Sequence, residues 1–157
     1  MGREIERKYL VRPQLWQPCG EGVEIRQGYL SSQKLRTVRV RTKGTEAFLT
    51  VKGPTCGITR AEFEYSIPFA DACSMLQELC EQPLIEKRRY LEEYAGHTWE
   101  IDCFFGENDG LIVAEVELQN AAEPLQLPAW AGAEVSDDPR YFNSNLIWRP
   151  YSSWREE

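Results

Sequence analysis

Apolar and polar residues alternate with a period of two along most of the chain, and the polar set is largely charged. Glu4, Glu6 and Lys8 leave one face of an extended segment, while Ile5, Tyr9 and Val11 share the other. The same alternation predicts strands over 3–12, 23–30, 36–42, 48–52, 60–67, 84–94, 98–105 and 111–118. Pro13 and Pro68 stop the first and fifth, and Lys43-Gly44-Thr45 and Asn108-Asp109-Gly110 are turn signals. The period becomes helical over 71–81, which sets Ala72, Met75, Leu76, Leu79 and Cys80 on one face until Pro83 ends the helix. A short helical turn is predicted around Pro13. Residues 123–132 are Pro- and Ala-rich and carry no period. Asp138 before Pro139 then reads as an N-cap opening a short helix through Asn145. The expected inventory is eight strands with one or two helices.

The charges are sorted by strand. Glu4, Glu6 and Lys8 lie on the first, Arg39 and Arg41 on the third, and Lys52 on the fourth. Glu62 and Glu64 lie on the fifth, Lys87 and Arg89 on the sixth, Glu100 and Asp102 on the seventh, and Glu115 and Glu117 on the eighth. The opposite faces carry Val38 and Val40, Ala61 and Phe63, Trp99 and Ile101, Ala114 and Val116. The plain alternative is an antiparallel sheet with one face in solvent. Against it, like charges two apart on a strand stand roughly 6.6 Å from each other. They repel by about 0.6 kcal/mol in water and about four times that at an effective dielectric near 20. A solvated surface would dilute such pairs or mix the signs. In addition, one helix and a tail offer little cover for so many apolar faces. Closing the sheet into a barrel with the charges inward removes the edges and makes a polar tunnel.

Composition narrows the chemistry. A chain of 157 residues suits one domain, and 42% apolar with 27% charged residues is ordinary for a globular protein. A net charge of −7 argues against a nucleic-acid partner. No apolar run approaches the roughly 18 residues of a membrane span, and the charged N-terminus gives no sign of a signal peptide. Five cysteines without a C-x-x-C pair point to free thiols in a reducing cytoplasm. With His97 as the single histidine, a resident metal would take oxygen ligands, which favours magnesium, manganese or calcium.

With Glu100 placed at the periphery, the expected lumen holds Glu4, Glu6, Glu62, Glu64, Asp102, Glu115 and Glu117 against Lys8, Arg39, Arg41, Lys52, Lys87 and Arg89. Clustered carboxylates call for a divalent cation, and clustered bases for an extended polyanion. The bases leave the acids one negative charge over. One or two divalent ions would then leave about the charge that a triphosphate neutralises.

These residues resemble the CYTH domain, or triphosphate tunnel metalloenzyme, family in its short bacterial form. The resemblance covers nearly the whole chain, 1–157 as a single tunnel domain. It rests on Glu4-Ile5-Glu6-Arg7-Lys8, Arg39-Val40-Arg41, Leu49-Thr50-Val51-Lys52-Gly53, Glu62-Phe63-Glu64, Glu86-Lys87-Arg88-Arg89-Tyr90, Trp99-Glu100-Ile101-Asp102, Ala114-Glu115-Val116-Glu117-Leu118 and the tail around Asp138-Pro139-Arg140-Tyr141-Phe142-Asn143. It implies an α+β, mainly β fold: an eight-stranded antiparallel closed barrel with a charged lumen, and a few helices outside and at the C-terminus. Carried over, Lys8, Arg39, Arg41, Lys52, Lys87 and Arg89 would grip phosphates. Glu4, Glu6, Glu62, Glu64, Asp102, Glu115 and Glu117 would hold Mg²⁺ or Mn²⁺ or position water. Lys8 and Tyr29 would stand at the scissile phosphate, with the lysine's pKa lowered among arginines so that it can trade a proton; the plain reading of Tyr29 is a packing aromatic beside a turn glycine. The implied activity is metal-dependent hydrolysis of the terminal phosphate of inorganic triphosphate, with nucleoside triphosphates as poorer substrates. A class IV-type adenylyl cyclase, a thiamine triphosphatase and a non-catalytic polyphosphate or nucleotide binding module are the rivals. The expected protein is a cytoplasmic monomer or homodimer with no nucleic-acid or membrane partner.

Overall fold

The computed structural model describes residues 2–154. The sheet closes at β1 (Arg3–Val11). One edge of β1 pairs with β8 (Ile112–Glu117), Lys8 opposite Glu115 and Glu6 opposite Glu117. Its other edge is shared: residues 3–5 pair with β5 (Thr59–Ser66), and Tyr9 and Val11 pair with β9 (Ala131–Glu134). From β5 the order runs through β4 (Glu46–Lys52), β3 (Thr37–Lys43), β2 (Val23–Ser31), β6 (Ile85–Tyr94) and β7 (His97–Phe104) to β8. The result is a closed eight-stranded antiparallel barrel with β9 added outside. All eight strands lie where the alternation predicts them, to within one or two residues at each end.

The apolar faces point outward and are covered by two groups, while a third apolar group fills one end of the barrel. Tyr9, Trp99, Ile101, Ala114 and Val116 are roofed by the aperiodic stretch after β8, through Leu118, Leu125 and Trp130. Trp99 is fully buried there, edge-on to both Tyr9 and Trp130. α1 (Phe69–Glu78) lays Ala72 and Leu76 on Val40 and Ala47. At one end of the barrel the C-terminal segment enters from outside and packs Tyr141, Leu146, Ile147 and Trp154 on Ile85, Phe104 and Val113, which share the inward face with Lys87 and Asp102. The Pro- and Ala-rich stretch thus supplies the cover that a helix and a tail alone could not.

Three local expectations change. β9 falls at the end of that stretch and was not foreseen, because four residues are too few to show a period. Its register comes from distant partners instead. Arg7 grips Glu134 with two hydrogen bonds of 3.0 and 2.7 Å, and a side chain at Gly132 would meet the Leu10 carbonyl at 3.1 Å. The first helix ends at Glu78, and Leu79, expected on its buried face, is exposed. The helix expected from Asp138 through Asn145 is broken at Phe142, whose backbone is extended, into a 3-10 turn (Pro139–Tyr141) and α2 (Asn143–Leu146). Asp138 does cap the turn, accepting from the Arg140 amide at 3.1 Å.

Trp99→Ala should lower stability by about 3–5 kcal/mol, the usual cost of emptying a buried aromatic site, as read from urea unfolding followed by circular dichroism.

Candidate active site

Closure gathers the sign-sorted strands into two arcs. The neighbours β7, β8, β1 and β5 carry the carboxylates, while β4, β3 and β6, joined through the uncharged inner face of β2, carry the cations. Lys8 on β1 and Arg60 on β5 are the exceptions, bases within the acidic arc. Between the arcs lies a cavity of about 320 Å³, lined by seven carboxylates and eight cationic groups. All the site residues expected from sequence line it, Tyr29 included, with the exception of Asp102.

Asp102 shares the inward face of Arg89 but is almost wholly buried. Its two oxygens accept from Arg89 Nε and Nη2 at 2.8 and 2.9 Å, and Lys87 Nζ stands 2.9 Å away. Burial alone would raise the Asp102 carboxyl, but Arg89 and Lys87 hold it below its ordinary range. Glu100, expected at the periphery, instead lines the cavity and pairs with Arg89 Nη1 at 3.2 Å. Lys43 and Arg60 also line it. Their parity with Arg39 and Arg41, and with Glu62 and Glu64, was the sequence signal for them.

On the basic arc, Arg39 and Arg41 both reach Glu64 Oε2 at 3.4 Å, and Thr50 Oγ1 donates to the same oxygen at 2.8 Å. Burial, with Arg39 and Arg89 nearby, lowers the Arg41 guanidinium to about 10. The buried Nε atoms of Arg39 and Arg41 have no partner. Such crowding of cations is relieved by a polyanion. At the seam between the arcs Lys52 donates to Glu4 at 2.8 Å and stands 3.4 Å from Glu62.

On the acidic arc, burial together with Glu115 and Glu4 pushes the Glu6 carboxyl well above its usual range. Glu62 and Glu117 are likewise raised by burial and by Glu4. Glu115 goes the other way: burial opposes its charge, but Lys8, Lys87 and Arg89 hold it ionised. Carboxylates that raise one another in this way are short of positive charge, and a hard divalent cation with oxygen preference fits that donor set. Among the described residues no three acidic, histidine or cysteine side chains are gathered tightly enough to hold an ion by themselves.

The expected lowering of Lys8 is overturned. Burial disfavours its charge, but Glu115, Glu6 and Asp102 outweigh burial and raise it. Its neighbours are carboxylates rather than arginines. Lys87 is the lysine lowered, to about 8, by burial and by Arg89 against the pull of Asp102. Lys8 Nζ donates to the Tyr141 carbonyl at 3.1 Å and stands 3.6 Å from Glu115.

Tyr29 lines the cavity and is buried, and its neighbour Gly28 is no turn residue. A Cβ at Gly28 would come within 2.8 Å of Leu84 and Cys80 side-chain atoms, so the glycine lets the chain after α1 press against β2. The C-terminal segment adds Ser136, Phe142, Asn143 and Ser144 to the lining. These lie outside any periodic element, and sequence reasoning missed them.

A closed barrel in which an arc of carboxylates faces an arc of guanidinium and ammonium groups defines the class of charged-tunnel proteins. The chain belongs to the CYTH domain family, whose model matches residues 2–147. It is 47% identical to an inorganic triphosphatase of Acetivibrio thermocellus over 156 residues, 99% of this chain and 100% of that protein. It is 38% identical to an inorganic triphosphatase of Nitrosomonas europaea, over 91% of this chain and 95% of that one. A crystal structure of an inorganic triphosphatase superposes with a TM-score of 0.64 at 36% identity, covering 92% of this chain and 93% of that one.

Asp102→Asn should cost about 3–5 kcal/mol of stability, because it removes the charge that compensates two buried cations. A fall in thermal midpoint beyond that of any singly substituted lining carboxylate is the expected result.

Proposed function

We propose that this chain hydrolyses the terminal phosphoanhydride bond of inorganic triphosphate with the help of a divalent metal, Mg²⁺ or Mn²⁺. The observation that carries the reading is the pair of opposed arcs around a small cavity. Phosphoryl transfer needs positioning and stabilisation of spread negative charge more than it needs a covalent intermediate, and fixed charges on a closed barrel supply both. The cavity stands at the lower end of the roughly 300–1,000 Å³ usual for ligand sites. Tyr29 and Phe142 are its lining aromatics, and Phe142 already lies under the Lys8 ammonium at 5.9 Å. That leaves no platform for a base, which favours inorganic triphosphate over ATP cyclisation or thiamine triphosphate.

Arg39, Arg41, Lys52, Lys87 and Arg89 bind phosphate oxygens, with Asp102 fixing the directions of the last two. Lys8 and Tyr29 face the scissile phosphate, Lys8 as a cation held by the Tyr141 carbonyl and Glu115. Glu4, Glu6, Glu62, Glu64, Glu115 and Glu117 would hold the metal and orient water. When bound, a divalent ion supplies charge neutralisation at phosphate oxygens and activation of water. No described helix is long and apolar enough to cross a membrane, and the five unpaired cysteines suit a reducing cytoplasm. The working form is a monomer or homodimer acting on a small molecule, with no nucleic-acid or membrane partner.

Purified protein with Mg²⁺ or Mn²⁺ should release orthophosphate from triphosphate, with ATP a poorer substrate, and a chelator should stop the release. Cyclic AMP from ATP, or no turnover, would overturn the reading. Glu4→Gln should lower kcat by about a hundredfold or more and weaken Mn²⁺ binding, since it weakens a charge interaction worth several kcal/mol. Arg41→Ala should instead raise KM by about ten- to a hundredfold, the worth of a charge-assisted hydrogen bond.

A further inference from the structure

A chain of polar groups runs along the cavity wall from Lys87 to Tyr29. Lys87 Nζ donates to Asn143 Oδ1 at 3.1 Å. Gln27 Nε2 donates to the same oxygen at 3.1 Å and to the Tyr29 hydroxyl oxygen at 3.3 Å. Donor and acceptor chemistry fixes the sense of each link. An ammonium only donates, so Asn143 must present its oxygen to Lys87. That oxygen then faces Gln27, which must present its NH₂ group. The Tyr29 oxygen in turn accepts, and its own hydrogen is left to point away from Gln27. Tyr29 lines the cavity, so that hydrogen is available to a ligand there.

Gln27 is held at a cost. Its side chain is wholly buried, and its Oε1 has no partner. Unpaired buried acceptors destabilise a fold, and a residue retained in that state calls for a role other than stability. Asn143 lies at the start of α2, some 116 residues along the chain from Gln27, so the C-terminal segment reaches into the barrel lumen to complete the link.

We infer that Gln27 and Asn143 are positioning residues of this site: they orient the Tyr29 hydroxyl so that it donates to a phosphate oxygen in the cavity. The inference rests on the triphosphatase reading and deepens it. Neither residue needs to touch the substrate, since both act through Tyr29 and Lys87.

Steady-state kinetics on triphosphate, with thermal midpoints, tests it. Gln27→Met keeps the volume and removes the amide. It should lower kcat at least tenfold with less than a threefold change in KM, at a thermal midpoint no lower than that of the parent. Asn143→Leu should lower kcat similarly, and Asn143→Asp, which keeps an acceptor for both Lys87 and Gln27, should recover most of it. In a Tyr29→Phe background the hydroxyl to be positioned is gone, and Gln27→Met should then cost less than threefold more. Unimpaired kcat in Gln27→Met, or an equal loss with and without the Tyr29 hydroxyl, would overturn the positioning role while leaving the triphosphatase reading intact. Failure of the parent protein to release phosphate would overturn both.

Discussion

The molecule depends on compensating charges that its own closure buries. An uncompensated ion inside a protein is expensive, and a buried pair is tolerated only with good geometry and further hydrogen bonds. Asp102 meets that condition with a two-point grip on Arg89 and a contact to Lys87. The other seam is tied by Lys52 between Glu4 and Glu62. Between these seams the compensation is incomplete. Burial and then its acidic neighbours drive Glu6 up, and burial and then its basic neighbours drive Arg41 down. Each arc is therefore short of the ion that a metal or a polyanion would bring, and the two ligands would relieve opposite walls of one cavity.

Rigidity makes that imbalance usable. Strands closed on themselves have no free edge along which to shear, and the outer wall is locked by Trp99, Tyr9 and Trp130 on one side and by α1 on another. Charges that repel cannot separate by moving the backbone. Preorganised groups of this kind pay no reorganisation when charge develops in a reaction, which is the main source of electrostatic stabilisation in phosphoryl transfer. The C-terminal segment belongs to the same machinery. It fills one end of the barrel with Tyr141 and Trp154, supplies the carbonyl that holds Lys8, and sends Asn143 to Lys87 and Gln27.

The strands, their inward faces and most of the lining were legible in the sequence because a strand has a strict period of two. A residue's face follows from its parity once its neighbours are known. Parity placed Glu4, Glu6 and Lys8 together, and the same rule would have placed Lys43 and Arg60. It could not say how deep along the tunnel a residue sits. Asp102 and Glu100 share a face on β7, yet one is buried under Arg89 and the other lines the cavity.

The sequence by itself therefore determined the barrel and its inward charges. Only the tertiary structure decided the order of strands around the barrel, and with it the sorting of charges into two arcs. It also reversed the expected roles of the two lysines, because a lysine's pKa follows its neighbours in space. Lys8 is set among carboxylates by β8, and Lys87 is set beside Arg89 with Asp102 beneath. β9, Gln27 and Asn143 were invisible for the same reason. Their partners lie more than a hundred residues away or on strands that meet only on closure, and no local period records such contacts.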